Sequence, residues 1–155
     1  MIAATVAWAA GEALMRQPSA SDRLARAVWT LGIALALVHV VLAFQLVYAW
    51  DHEAAVVATV RQTADRFGQG WRGGIYVNYV FLAIWLADVC WWWLAPASRA
   101  SRSPRLEAAR FALFVFMFFN GAVVFAAGTG RLIGIASVSV TLLAPLVRRQ
   151  RLVST

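Results

Sequence analysis

Three ionisable side chains interrupt the long apolar runs of this sequence: Glu12, His39 and Asp88. A charge at membrane depth is costly, so each of them is a candidate for binding a ligand or moving protons. Each also has a structural alternative, which we favour. His39 suits a hydrogen bond between helices, and Glu12 suits contact with the cytoplasmic headgroups. Asp88 suits an ion pair with Arg110 or Arg26.

A second candidate site lies around the polar segment that follows the second apolar run. Gln45, Tyr48 and His52 follow one another at spacings of three and four, which predicts one face of a continuous helix. With their neighbours they form the predicted outer-face cluster: Gln45, Tyr48, Asp51, His52, Tyr76, Asn78 and Tyr79. Such a set suits a small polar ligand or a proton relay. The favoured alternative is an interfacial aromatic belt with a helix cap.

The sequence contains few side chains that could bind a metal ion or a haem. Cys90 is the one cysteine, so neither an intrachain disulfide nor a thiolate metal site can form. No set of about four ligands has metal-site spacing, so we predict no metal and no cofactor. His39 and His52 lie on one predicted helix, about 20 Å apart, too far to share one haem. Haem stays an alternative in a homodimer that pairs two copies of His39.

The composition indicates that these residues belong to an integral membrane protein. Apolar residues make up 62% of the 155 residues and charged residues 14%, against about 25% charged residues in a soluble domain. A soluble core of this size cannot bury so much apolar surface. The basic residues are 14 arginines without a lysine, placed between the apolar runs. That placement favours lipid headgroups and excludes nucleic acid as the expected partner.

The apolar runs predict an all-α integral membrane helical bundle, a single transmembrane domain over residues 1–155. We predict five transmembrane helices, or four if the short first run does not cross, and one short amphipathic interfacial helix. The predicted spans are 1–15, 27–50, 75–94, 106–127 and 132–147, and the predicted interfacial helix is 52–67. We expect Pro18 to stop the first helix, and Ser19 or Ser21 to cap the second.

The distribution of arginine predicts the orientation of the chain. With five crossings, the loops on one side carry nine arginines and those on the other side four. The positive-inside rule therefore places the C-terminus in the cytoplasm of a bacterial inner membrane. Trp29 and Trp50 are expected at the two interfaces of the second span. A GxxxG pair, Gly130 and Gly134, predicts close helix packing.

The stretch 39–93 carries a set of short elements: His39 with Ala43 and Phe44, Asp51-His52 followed by Thr63, Gly74–Tyr79, Trp85–Asp88 and Trp91–Trp93. In these elements, which span about a third of the chain, the sequence resembles a group of uncharacterised bacterial multi-pass membrane proteins. The resemblance implies a fold of several membrane helices and carries no activity.

Short loops and the lack of a soluble domain leave little room for catalysis, so we do not expect an enzyme. We expect a non-enzymatic subunit or accessory factor of a membrane complex, bound to a protein partner or to copies of itself in the lipid bilayer. One alternative is a proton-linked small-molecule carrier or proton relay that uses His39, Asp88 and Glu12. Another is a haem- or metal-binding redox subunit that uses His39 or His52.

Overall fold

The structure is a computed structural model that describes residues 1–17 and 21–153, with side chains as far as residue 143. The described chain consists of helices joined by short loops, which confirms the all-α prediction. In chain order the helices are α1 (Ile2–Met15), α2 (Asp22–Leu46), α3 (His52–Phe67), α4 (Gly74–Leu94), α5 (Pro96–Ala100), α6 (Pro104–Phe119), a π-helical turn (Asn120–Val124) and α7 (Gly128–Val153).

Three helical stretches are long and apolar enough to cross a membrane: α2, α4, and α6 continued by the π-helical turn. In the most apolar window of each, fewer than a third of the residues are buried. Most of their side chains are therefore available to lipid or to another chain. α1 and the apolar part of α7, Gly128–Leu143, are shorter. Three candidate spans are thus present among the described residues, and five crossings stay a prediction.

The end of α2 differs from the predicted span 27–50. The helix ends at Leu46, because Ala49 and Trp50 adopt left-handed backbone conformations, with φ of 48° and 61°. Such values are uncommon for residues other than glycine and cost about 1 kcal/mol each. The chain therefore turns here, and His52 begins a new helix instead of extending the second one.

Two further helix boundaries are the start of α2 and the start of α7. Pro18 and Ser19, the expected helix stop and one expected cap, lie outside the described residues. The carbonyl of Ser21 accepts the first helical hydrogen bond, from the Ala25 N–H at 3.1 Å. The last span was predicted to begin at 132 after a turn at 128–130. Instead α7 already begins at Gly128, and the non-helical segment is 125–127.

The predicted interfacial helix is α3, with the predicted bounds. The Asp51 carboxylate caps it by accepting hydrogen bonds from the N–H groups of Glu53 and Ala54, at 2.9 and 3.2 Å. Gly68 ends it with a φ of 73°, a conformation that glycine adopts without strain. One face of α3 is held by a small apolar cluster that contains Ala55, Val56 and Ile75, with Phe44, Tyr48, Val60 and Tyr79 packed against it.

The chain divides into two compact units, residues 1–32 with 114–155, and residues 33–113. In the first unit, Trp8 stacks on Phe118 with ring centroids 4.5 Å apart. Trp29 stacks on Phe114 at 4.9 Å, and all four rings are buried. Buried aromatic side chains contribute strongly to the stability of a core, and each stacked pair adds about 0.5–1.5 kcal/mol. The prediction that Trp29 belongs to an interfacial belt is therefore wrong, because its ring packs inside this unit.

Glycine permits close packing in the same unit. A Cβ atom placed on Gly134 of α7 would overlap the carbonyl group of Ala122 in the π-helical turn. Gly130 has only ordinary contact distances to the side chain of Ile2, the nearest being 3.5 Å. The GxxxG pair therefore marks close packing as predicted, but only Gly134 requires the missing side chain.

Candidate functional site

Glu12 is held in an ion pair within α1. Its side chain is 1% exposed, and its carboxylate lies 2.7 Å from the Arg16 guanidinium, one helical turn further on. Arg16 also donates to the backbone carbonyl of Glu12 at 3.0 Å. Arg16 is the more exposed partner of the pair, at 28%, and the headgroup contact expected for Glu12 stays a prediction.

His39 lies on the exposed surface of α2. It forms no hydrogen bond with any residue that the structure describes. Since α2 ends at Leu46, His39 lies seven residues from that end, about 10 Å along the helix axis. The exposed ring is thus well inside the apolar part of the helix. The hydrogen bond between helices that was predicted for His39 is not present among the described residues.

Asp88 is the centre of a buried cluster at the end of α4. Its carboxylate lies 2.6 Å from the Arg102 guanidinium and 3.4 Å from that of Arg99, and Asp88 itself is 6% exposed. A structural ion pair was predicted, but neither of these partners was. Arg26, one predicted partner, has an ion pair with Asp22 of its own helix, and the predicted pairing of Asp88 with Arg110 or Arg26 stays a prediction. The chain reverses after α4, and α5 returns both arginines to the carboxylate.

The cluster extends to the start of α6. Glu107 accepts from Arg102 at 2.8 Å and from Arg110 at 2.5 Å, so it links two of the three cations. Two guanidinium groups also lie near the rings of adjacent tryptophans. The Arg99 guanidinium is 3.5 Å from the ring centre of Trp92, within cation–π range. The sequence signal was an arginine at every third position, 99, 102 and 105, directly after an acid at membrane depth and three tryptophans.

The electrostatics of Arg99 reflect how close the three cations are. Burial lowers the pKa of its guanidinium, the Asp88 carboxylate raises it, and the neighbouring Arg102 and Arg110 cations lower it. The resulting pKa is below the ordinary value, although arginine stays charged at neutral pH. The neighbouring cations thus act on Arg99 in the opposite direction to Asp88.

The outer-face cluster forms in part. His52, at the start of α3, lies between the hydroxyls of Tyr76 and Tyr79 on α4, with each ring nitrogen 3.3 Å from one oxygen. A neutral imidazole has one N–H donor and one acceptor nitrogen, so one hydroxyl accepts and the other donates. This arrangement fixes the imidazole between two elements, and His52 and Tyr76 remain exposed.

The other predicted members of that cluster have separate roles. Gln45 accepts a hydrogen bond from the Trp50 indole at 2.8 Å, and Asp51 caps α3. Tyr48 packs edge-on against Phe44, with ring centroids 5.7 Å apart. Asn78 is exposed on α4. The predicted single helical face of Gln45, Tyr48 and His52 is wrong, because the helix ends before Tyr48.

The described residues offer little to a metal ion. Within them, no group of three or more His, Cys, Asp or Glu side chains is placed to hold one. His39 lies on α2 and His52 on α3, so the prediction that both belong to one helix is also wrong. No family model, curated protein or solved structure matches this chain.

Proposed function

We propose that this protein is a non-enzymatic subunit or accessory factor of a bacterial inner-membrane assembly, and that α2 contacts the neighbouring chain. The observation that carries the proposal is the position of His39. It is exposed within an apolar helix and has no hydrogen-bond partner among the described residues. An imidazole facing hydrocarbon leaves its donor and acceptor unsatisfied, which costs several kcal/mol, about 2–7 per polar group. A partner helix with a polar side chain removes that cost.

The residues around His39 favour a helix over lipid as its neighbour. One side of α2, here called the α2 stripe, contains Leu35, His39, Leu42 and Leu46. Their spacings of four, three and four residues are those of a seam between two packed helices. Leu42 and Leu46 are 48% and 75% exposed, so their own chain leaves this seam uncovered. A polar residue within such a seam fixes the register of the two helices.

We further propose five crossings with the C-terminus in the cytoplasm. α1 has 14 residues and spans about 21 Å, which requires local thinning of the bilayer or snorkelling by Arg16. Arg16 lies at the end of this helix and reaches back to Glu12, a geometry that suits a cation near the headgroups. The arginine-rich loops then lie on the cytoplasmic side, where anionic lipids favour them.

The subunit proposal fits the geometry better than the proton-relay alternative. Glu12 and Asp88 are both held by arginines, so each carboxylate must leave a cation before it takes up a proton. His39 forms no hydrogen bond with a described residue, whereas a relay within one chain needs it to connect to other polar groups along a water-filled path. No comparable observation supports a haem or metal subunit.

The assembly can be tested by purifying the full chain in a mild detergent and measuring its mass by native mass spectrometry. We expect a defined oligomer or a stoichiometric complex with another membrane protein. The variant His39→Leu removes the polar group but keeps an apolar side chain of suitable size. It should dissociate the assembly, because the hydrogen bond that offsets the buried imidazole is lost.

Gln45→Leu is the matched control for that substitution. It also replaces an exposed polar side chain of α2 with leucine, but Gln45 is already bonded to Trp50 of its own chain. The assembly should keep its mass in this variant. A monomeric wild-type protein without a bound partner, or an assembly that His39→Leu leaves intact, would overturn the proposal.

A further inference from the structure

All copies of this chain lie the same way round in the membrane, because each carries the same arginine-rich loops. Two copies that meet side by side are therefore related by rotation about an axis along the membrane normal. Where α2 of one copy contacts α2 of the other across a two-fold axis, the helices run parallel and each residue lies at the depth of its counterpart. His39 of one copy then lies opposite His39 of the second copy.

Histidine is suited to contact a copy of itself. A neutral imidazole has one N–H donor and one acceptor nitrogen, so two facing imidazoles can share an N–H···N hydrogen bond. His39 is exposed within the apolar part of α2 and forms no hydrogen bond with a described residue. A different protein would have to present a polar side chain at the depth of His39, whereas a second copy of this chain always presents one there.

Leucine side chains flank His39 at the spacing of a seam between two parallel helices. The spacings within the α2 stripe place Leu35 and Leu42 at d positions, and His39 and Leu46 at a positions, of a two-stranded contact. In a parallel pair equal positions pack against one another, so Leu42 meets Leu42 of the second copy. Leu42 and Leu46 are open to such a contact, at 48% and 75% exposed. A single polar residue at an a position fixes the register of the pair.

We propose that the α2 stripe contacts the α2 stripe of a second copy of this chain in a parallel, two-fold symmetric dimer. A hydrogen bond between the two His39 imidazoles lies at its centre, and leucines pack on either side of it. This inference rests on the proposed function and names the partner of the same surface. Because a two-fold contact uses the same surface on both chains, the assembly closes at two copies through this stripe.

Disulfide cross-linking in native membranes tests the symmetry of the contact. In a Cys90→Ser background, Leu42→Cys places two thiols opposite one another in the dimer, whereas Val41→Cys places them about 100° further around the helix. Both residues are similarly exposed, at 48% and 50%, so random collisions oxidise both variants equally. A mild oxidant should give a product of twice the chain mass from Leu42→Cys and none from Val41→Cys. No product from Leu42→Cys, or equal products from both, would overturn the proposal.

Photocross-linking from Leu42 separates failure of this proposal from failure of the proposed function. With a benzophenone side chain at Leu42, an adduct of twice the chain mass supports the dimer. An adduct with a different protein, without a disulfide from Leu42→Cys, would overturn the dimer but leave α2 as the surface that contacts a partner. The lack of any protein adduct would overturn both proposals.

Substitutions of His39 test the hydrogen bond at the centre of the dimer. Native mass spectrometry of the full chain in mild detergent, over a range of protein concentrations, gives the dissociation constant of the dimer. His39→Leu should raise this constant about tenfold, as expected for one lost hydrogen bond between membrane helices. His39→Asn keeps a donor and an acceptor, so its constant should stay close to that of the wild type. Wild-type affinity in His39→Leu, or equal losses in both variants, would overturn the proposal.

Discussion

At the level of single residues, Glu12 and Asp88, the two acids predicted to lie at membrane depth, are both paired with arginines. The Glu12–Arg16 pair could be predicted from sequence, because residues four apart on a helix lie side by side. The partners of Asp88 could not, because Arg99 and Arg102 reach it only after the chain reverses at α5. The exposure of His39 could not be predicted either, because the sequence does not fix which face of α2 is covered by the rest of the chain.

The buried pair in α1 predicts a large difference between two similar substitutions. Glu12→Gln leaves the Arg16 cation without its carboxylate and should destabilise the protein by about 3 kcal/mol. That is the lower end of the range for breaking a buried pair, because Arg16 is 28% exposed. Asp22→Asn breaks the corresponding pair with Arg26, but Asp22 is 63% exposed, so the cost should be at most about 1 kcal/mol.

Thermal unfolding in detergent, followed by tryptophan fluorescence, measures both effects. Equal shifts in the unfolding temperature of the two variants would contradict the burial of Glu12.

At the level of helices, sequence predicts an element well where its ends carry their own signals. α3 has a capping aspartate before it and a glycine after it, and its bounds were predicted correctly. The end of α2 has no such signal, because Ala49 and Trp50 take left-handed conformations that usually belong to glycine or asparagine. The outer-face cluster was misassigned for the same reason, since its register depended on a continuous helix.

The cap of α3 can be tested by hydrogen exchange. Asp51→Ala removes the acceptor of two backbone N–H groups and should cost about 1 kcal/mol. The amides of Glu53 and Ala54 should then exchange about fivefold faster. Asp65→Ala makes the same change at an exposed position within the last turns of α3 and should leave these amides unchanged. Similar exchange in Asp51→Ala and the wild type would show that the cap contributes nothing.

The contact between α7 and the π-helical turn predicts a second pair of variants. Gly134→Ala places a methyl group against the Ala122 carbonyl and should cost about 1–3 kcal/mol through overpacking. Gly130→Ala meets only ordinary contacts and should be neutral or slightly stabilising, because alanine favours helix. Unfolding temperatures of both variants test this difference. A tolerated Gly134→Ala would contradict the close approach.

At the level of the whole molecule, composition was sufficient to predict a membrane protein. The number of crossings was harder, because α1 and the apolar part of α7 are near the lower limit for a span. The proposed topology places Thr129 outside the cytoplasm and Ala97 inside it. In a Cys90→Ser background, Thr129→Cys should react with an impermeant thiol reagent in intact cells. Ala97→Cys should react only after permeabilisation, and the reverse pattern would contradict the orientation.

The central claim, that the α2 stripe contacts another chain, is tested most directly in the intact membrane. A benzophenone side chain is placed either at Leu42, in the stripe, or at Val41, which points about 160° away from His39. Both positions are similarly exposed, at 48% and 50%, so random collisions label them equally. We predict a protein adduct of defined mass on illumination from Leu42 and none from Val41. No adduct from Leu42, or equal labelling from both, would contradict the claim.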